Sequence, residues 1–233
     1  MRALGVVLAM LIAAGCGSDR GSNPAEATGY RGCTTSDVAA DGKVVARADL
    51  DGTDGLEPVR LIGATHRRCG NSLVAVVGGR LVGTDVGRLR LKPHGAKVVH
   101  LRGEAAADLV LLWSAPHPRG GSQPHLFGLG SPGRLSEITI DGQPVLPFVA
   151  TDGGGSPMTA TCTRSGGIAV SSAVAHQPPG IVLAWDVTRT TYDVHDGRAV
   201  PVGSSLVEKA AADPALRRSR PELFSGELFA NCR

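Results

Sequence analysis

Aromatic side chains are scarce in this chain: four Phe, two Tyr and two Trp make up 3% of it. Any core must therefore be built from Val, Leu, Ile and Ala. Trp113 and Trp185 fall inside apolar runs, which assigns them to a core or a sheet face before any sugar-stacking role. Lysine is also rare, at four of the 24 basic residues. Arginine over lysine, with abundant Ala, Gly and Val, is the composition of a GC-rich bacterial genome, as in actinobacteria. No charge of one sign dominates. The formal net charge is +3 and falls to +2 without Arg2, too little to build the field that draws a protein onto nucleic acid. No apolar run reaches the ~20 residues that cross a bilayer as a helix. No two cysteines are spaced C-x-x-C, which argues against a zinc or dithiol redox site. G-x-S-x-G, H-E-x-x-H and kinase motifs are missing. Nothing local identifies a reaction.

What is present first is an address. MRALGVVLAMLIAAGC places Arg2 before an apolar run from Ala3 to Ala14, which ends in small residues. This is the pattern of a secretory signal. Ala13-Ala14-Gly15-Cys16 resembles the lipobox of bacterial lipoproteins, with alanine at Ala13 where leucine is commonest. The resemblance implies a signal peptide over 1–15, a diacylated Cys16 as the mature N-terminus, and an extracytoplasmic protein held to the membrane by its lipid. Two acyl chains anchor a protein stably, whereas one does so only marginally. Residues 16–32 lack hydrophobic periodicity and are rich in Gly, Ser and Ala, as expected of a flexible tether. Residues 33–233 are then one domain of about 200 residues.

Setting Cys16 aside leaves Cys33, Cys69, Cys162 and Cys232. An even number in an exported chain predicts two disulfides. Three pairings are possible, and nearness along the chain favours Cys33–Cys69 with Cys162–Cys232.

Between the cysteines lie short β-rich runs separated by Gly, Pro, Asp and Ser: GKVVARAD, EPVRLIGA, SLVAVVGG, AKVVHLR, ADLVLLW, RLSEITI, TATCT, GIAVSSAV, GIVLAWDVTRTTYDV and RAVPVG. Their spacing, without intervening helical stretches, predicts a mainly β fold of antiparallel meanders, barrel-like or sandwich-like. Near the C-terminus, Ser204 or Ser205 could cap a short helix running to Ala212, and Pro214 could start a second. One or two short C-terminal helices are expected on the sheet's end. In AWDVTRTTYDVHDG, Asp186, Arg189, Tyr192 and Asp193 suit one polar sheet face with cross-strand ion pairs.

The stretch ADLDGTDGLEPVRLI, Ala48 to Ile62, raises the question of a metal. An EF-hand register fails, because Asp54 and Arg60 fall where glycine and a bidentate Glu belong. ARADLDGTDGLEPVRLI instead resembles the FG-GAP/VCBS repeat of integrin-type β-propellers, whose loop reads D-x-D-G-D-G-x-x-D before an apolar strand. Asp49, Asp51 and Gly52 match, and Glu57 stands at the last acidic position. Thr53 replaces an acidic ligand, and Asp54 occupies the glycine position. The resemblance implies a hairpin, a propeller-like assembly of such units, and a Ca2+ bound by Asp49, Asp51, Thr53 and Glu57, against the plainer reading of an acidic β-turn. EAAADLVLLWS echoes it weakly through Asp108.

Pro116–His125, PHPRGGSQPH, gathers His117, Arg119, Gln123 and His125 in one Gly/Pro segment. This is the candidate loop for an anionic or sugar ligand, with Arg119 as a forked donor. Gly128–Gly133, GLGSPG, has the dinucleotide spacing but leads into a strand, which excludes that reading. The glycine-rich Thr151–Cys162 lacks the lysine of a phosphate loop and suits a tight turn. Taken together, the sequence predicts a membrane-anchored, non-enzymatic binding or structural module of the cell envelope, with an envelope glycan or protein as partner and no nucleic acid. The rival is a cell-wall or glycan-directed hydrolase with its site around His117–His125.

Overall fold

The computed structural model describes residues 29–103, 106–118, 120–130, 133–149, 157–176 and 183–232. Cys16, the signal segment, Arg119 and residues 151–156 lie outside the described residues. The fold is mainly β, with short helices at its margins.

The chain opens with helix α1 (Thr35–Asp41), then β1 (Gly42–Ala48), β2 (Glu57–Ile62), β3 (Ser72–Val77) and β4 (Arg80–Asp85). These strands form an antiparallel meander in the order β1-β2-β3-β4. A second meander follows in the same order, from β5 (Lys97–Val99), β6 (Leu109–Trp113), β7 (Pro124–Gly130) and β8 (Arg134–Glu137). Two consecutive four-stranded meanders are the arrangement of propeller blades. The third sheet breaks the repeat. It has six strands, β9 (Thr139–Ile140), β10 (Gln143–Pro144), β11 (Met158–Cys162), β12 (Ile168–His176), β13 (Ala184–His195) and β14 (Arg198–Ala212), in the order β10-β9-β14-β13-β12-β11. A single parallel bridge, Arg198 to Thr139, joins its two parts.

The second sheet is a middle layer. Successive strand residues point to opposite faces, and β6 is apolar at every position from Leu109 to Leu112. Val110 and Leu112, with Phe127 and Leu135, pack against Leu50, Val59, Leu73 and Ala75 of the first sheet. Leu109 and Leu111, with Leu126 and Ile138, pack against Met158, Ala160, Ile168 and Val170 of the third. Gly128 in β7 shows how tightly neighbouring strands of this sheet pack, because a Cβ there would lie 2.6 Å from Leu109 Cδ2 of β6.

The two outer faces are closed by different means. Helix α1 is nucleated by a capping box: Thr34 Oγ1 accepts from Asp37 N at 3.1 Å, and Asp37 Oδ2 accepts from Thr34 N at 3.0 Å. Its Val38 packs with Tyr30, Ile62, Val74 and Leu81 on the far face of the first sheet. The Cys33–Cys69 disulfide, with Cα atoms 5.7 Å apart, sits in the same cluster. At the other end Cys162–Cys232, with Cα atoms 5.3 Å apart, fixes the C-terminus to β11. Asn231 continues the edge of that strand by imitating a backbone partner. Its Oδ1 accepts from Cys162 N and its Nδ2 donates to Cys162 O, both at 3.1 Å. Lys97 Nζ donates to the carbonyls of Leu228 and Phe229 at 2.8 and 2.9 Å.

The C-terminal helix falls later than expected. Ser204–Ala212 is strand, not helix, and α2 spans Asp213–Ser219 with Pro214 in its first turn, followed by a 3-10 turn at Pro221–Phe224. The reason is the hairpin. Asp196 and Gly197 both take left-handed φ values, 51° and 73°, the geometry of a type I′ turn. That turn sends β14 back along the β-branched Thr188–Thr191, pairing Ser204 with Thr190 and Leu206 with Thr188. The growing ladder overrides the helical preference of Glu208–Ala212. Trp185 is buried under these helices, and its Nε1 donates to Asp213 Oδ1 at 2.9 Å, while Arg217 Nε donates to Asp213 Oδ2 at 2.8 Å. The expected ion pairs of β13 are replaced by other bonds. Among the described residues Asp186 accepts from Ala210 N at 2.7 Å, and Thr190 meets Ser204 at 3.1 Å.

Replacing Cys162 and Cys232 together by serine releases a 70-residue loop and is expected to lower the unfolding free energy by about 2–4 kcal/mol in urea titrations. Acid should loosen the C-terminal helices. Hydrogen bonds from Arg217 and Trp185 hold the Asp213 carboxyl below its ordinary 3.8. The stabilisation is complete above that value and is lost as pH falls through the lower folded value. Trp185 fluorescence in the Asp213→Asn variant is expected to lose this acid transition.

Candidate functional site

The acidic loop joins β1 to β2 and closes on the register pair Ala48–Glu57. Leu50 is fully buried and plugs it into the core between the first two sheets, so the polar residues on either side are turned outward together. Asp49, Asp51 and Glu57 present carboxylate oxygens that all lie within 4.8 Å of one another, and each residue is half-buried. Among the described residues no arginine or lysine forms an ion pair with any of the three.

The loop satisfies these carboxylates with its own donors. Asp49 Oδ1 accepts from Thr53 N at 3.0 Å and Asp49 Oδ2 from Asp54 N at 2.8 Å. Asp51 Oδ1 accepts the Thr53 hydroxyl at 2.6 Å. Glu57 Oε2 accepts from Leu50 N at 2.9 Å. Asp54, in the glycine position of the resemblance, takes the left-handed φ of 64° that glycine would take; aspartate is among the few side chains that tolerate it. The donor set suits a hard, oxygen-seeking dication such as Ca2+, which takes 6–8 oxygens. Asp49, Asp51 and Glu57 could hold one, with Thr53 offering lone pairs only, since its proton is given to Asp51.

A buried neighbour braces this loop. Asp108 precedes β6, and its side chain is only 7% exposed. Asp49 N donates to Asp108 Oδ2 at 2.9 Å, and Asp108 N donates to Asp49 O at 2.7 Å. The two residues thus join the first and second sheets by a reciprocal pair of bonds. His100 Nδ1 meets the other Asp108 oxygen at 2.7 Å.

Pro116–His125 is not one loop, because Pro124 and His125 already belong to β7. His117 heads a tight turn, with Gly120 N donating to His117 O at 2.8 Å and His117 N donating to Gly121 O at 2.9 Å. Its ring stands edge-on to Phe148, with centroids 6.3 Å apart. Gln123 is spent on the scaffold, donating from Nε2 to Leu146 O at 2.6 Å and Pro124 O at 3.1 Å. His125 is buried beside Phe127, and its Nδ1 meets Glu137 Oε1 at 2.7 Å. The two histidines therefore serve different neighbourhoods, and Arg119 is outside the described residues.

Sequence reading missed a further concavity of about 500 Å³ between α1 and the β2–β3 loop, lined by Asp37, Asp41, Thr65, His66, Arg67 and Arg68. His66 Nδ1 accepts from Cys69 N at 3.0 Å, which leaves the ring proton on Nε2. That nitrogen faces Asp41 Oδ2 at 3.4 Å and Asp37 Oδ1 at 3.8 Å. With Nδ1 taken by Cys69 N and the proton on Nε2, the ring has no free lone pair for a metal, and Cys69 is consumed by its disulfide. The signal was the capping box, which puts Asp37 and Asp41 one helical turn apart on the same face.

The chain matches no family model, no curated protein and no solved structure.

Asp108→Ala is expected to cost about 1–3 kcal/mol of unfolding free energy, because it strands Asp49 N between the two sheets, whereas the exposed His100 regains water. Asp51→Ala removes only exposed bonds and should stay within about 0.5 kcal/mol of the parent. Paired urea titrations distinguish a bracing Asp108 from a surface one.

Proposed function

We propose that the chain is a lipid-anchored extracytoplasmic lipoprotein, serving as a non-enzymatic binding or structural module of the cell envelope with an envelope glycan or protein as partner. The observation that carries this reading is the pair of disulfides, Cys33–Cys69 and Cys162–Cys232, behind an N-terminal Ala13-Ala14-Gly15-Cys16. Disulfides of this kind persist in oxidising compartments, and a cysteine at the end of a short apolar leader supplies the point of acylation.

The non-enzymatic part is supported by how the candidate side chains are used. A catalytic centre gathers several titratable groups around one cleft. Here His125 is committed to Glu137 inside the sheet stack, Gln123 to two carbonyls, and Asp108 to Asp49 and His100. The acidic loop is a surface feature of the first sheet and could add a cation-dependent face to the module.

Intact-mass analysis of the membrane fraction tests the anchor. The expected mature chain begins at a diacylated Cys16, and Cys16→Ser should release the protein from the membrane. A chain that begins at an unmodified Cys16, or upstream of it, overturns the reading.

A further inference from the structure

A groove of about 540 Å³ opens beside the point where the described chain begins. Its lining includes Gly29, Tyr30, Arg31, Arg80, Asp85 and Arg134. The arginines come from three separate segments brought together by the layered fold. Arg80 is the first residue of β4 and Arg134 the first residue of β8, each just past a glycine at the tip of its hairpin. Strands β4 and β8 run beside each other as the last strands of successive meanders, so each hairpin end contributes an arginine to the same groove.

Tyr30 forms the floor. Its ring lies so close to β4 that a Cβ on Gly83 would sit 2.9 Å from Tyr30 Cδ1. Arg31 stands over this ring at 5.5 Å and is fixed by Asp85, with Arg31 Nη2 donating to Asp85 Oδ2 at 2.8 Å. Among the described residues Asp85 is the only acid in the lining, against three arginines. Arg80 and Arg134 are exposed, and neither forms an ion pair among the described residues. Two unpaired guanidiniums flanking a tyrosine floor are a receptor for oxyanions, because the planar fork of arginine matches phosphate oxygens two at a time.

The position of the groove selects the source of the phosphate. Thirteen peptide units separate Cys16 from Gly29, so even fully extended the chain reaches only about 45 Å. With Cys16 acylated, the groove can never leave the neighbourhood of the bilayer. We propose that this groove seats the domain on the anionic phospholipid headgroups of the membrane that carries its anchor, with Arg80 and Arg134 gripping headgroup phosphates. The proposal rests on the lipid-anchor reading above. It adds a defined orientation: the hairpin ends of the first two sheets that carry Arg80 and Arg134 face the bilayer.

The test uses the full acylated chain in nanodiscs of phosphatidylcholine, alone or mixed with phosphatidylglycerol, and follows amide hydrogen exchange. Exchange across Gly29–Arg31 and Arg80–Asp85 is expected to slow about fivefold or more in the anionic discs, the scale set by one basic residue at an anionic surface. The slowing should vanish in high salt and in the Arg80→Gln/Arg134→Gln variant, while exchange in β12 stays unchanged and reports an intact fold. Equal exchange in both discs, with the chain retained, overturns the groove alone. Equal slowing by inorganic phosphate in neutral discs overturns the lipid as its ligand. A chain lost from both discs overturns the anchor, and the orientation with it.

Discussion

Everything in this molecule hangs on one sheet burying both of its faces. In an ordinary half-exposed strand every second residue may be polar. In β6 none can be, because Leu109 and Leu111 complete one core while Val110 and Leu112 complete the other. A one-residue slip in register would exchange the two sets. The middle sheet is therefore the part of the fold least free to vary, and the outer sheets take their positions from it. The same requirement accounts for the scarcity of aromatics. The inner layers are built mainly of Val, Leu, Ile and Ala, and Phe127 and Phe229 are fully buried, one in each of the two inner clusters.

Much of this could be read in the sequence, for reasons that differ by element. The strands of the first sheet were visible because apolar runs there are short and bounded by glycine and acids, and ADLVLLW announced a doubly buried strand by having no polar alternation. Strand β7 was hidden. Its Pro124, Gly128 and Gly130 read as loop, and only the close approach of Leu109 to Gly128 explains why glycine belongs in that strand. Strand β14 was misread past Gly203, because Glu208–Ala212 has the local preferences of a helix and only the hairpin at Asp196–Gly197 reverses them. Helix α1 was legible in principle as a capping box beginning at Thr34.

The site residues divide in the same way. Asp49, Asp51 and Glu57 are close in sequence, so a single turn suffices to bring them together, and their convergence could be foreseen. Asp108 and His100 lie more than forty residues further on, and only sheet stacking brings Asp108 against the backbone of Asp49. His117 and His125 show the opposite error. Nearness along the chain suggested a joint site, but an extended strand turns neighbours to different faces and carries one of them into the interior. The arginines of the groove could not have been grouped at all, since each belongs to a different hairpin or entry segment.

The first disulfide has a mechanical consequence. Cys33 lies four residues after Gly29 and before the first residue of α1. A pull applied through the N-terminal segment reaches a covalent bond before it reaches the helix, and the bond hands the load to Cys69, three residues before β3. The force enters an inner strand that is paired on both edges, and it loads that strand along its length. Pairs of strands sheared along their axis yield together, whereas an end helix pulled outward would peel turn by turn. The bond therefore routes a load on the N-terminal margin into the sheet and past the helix.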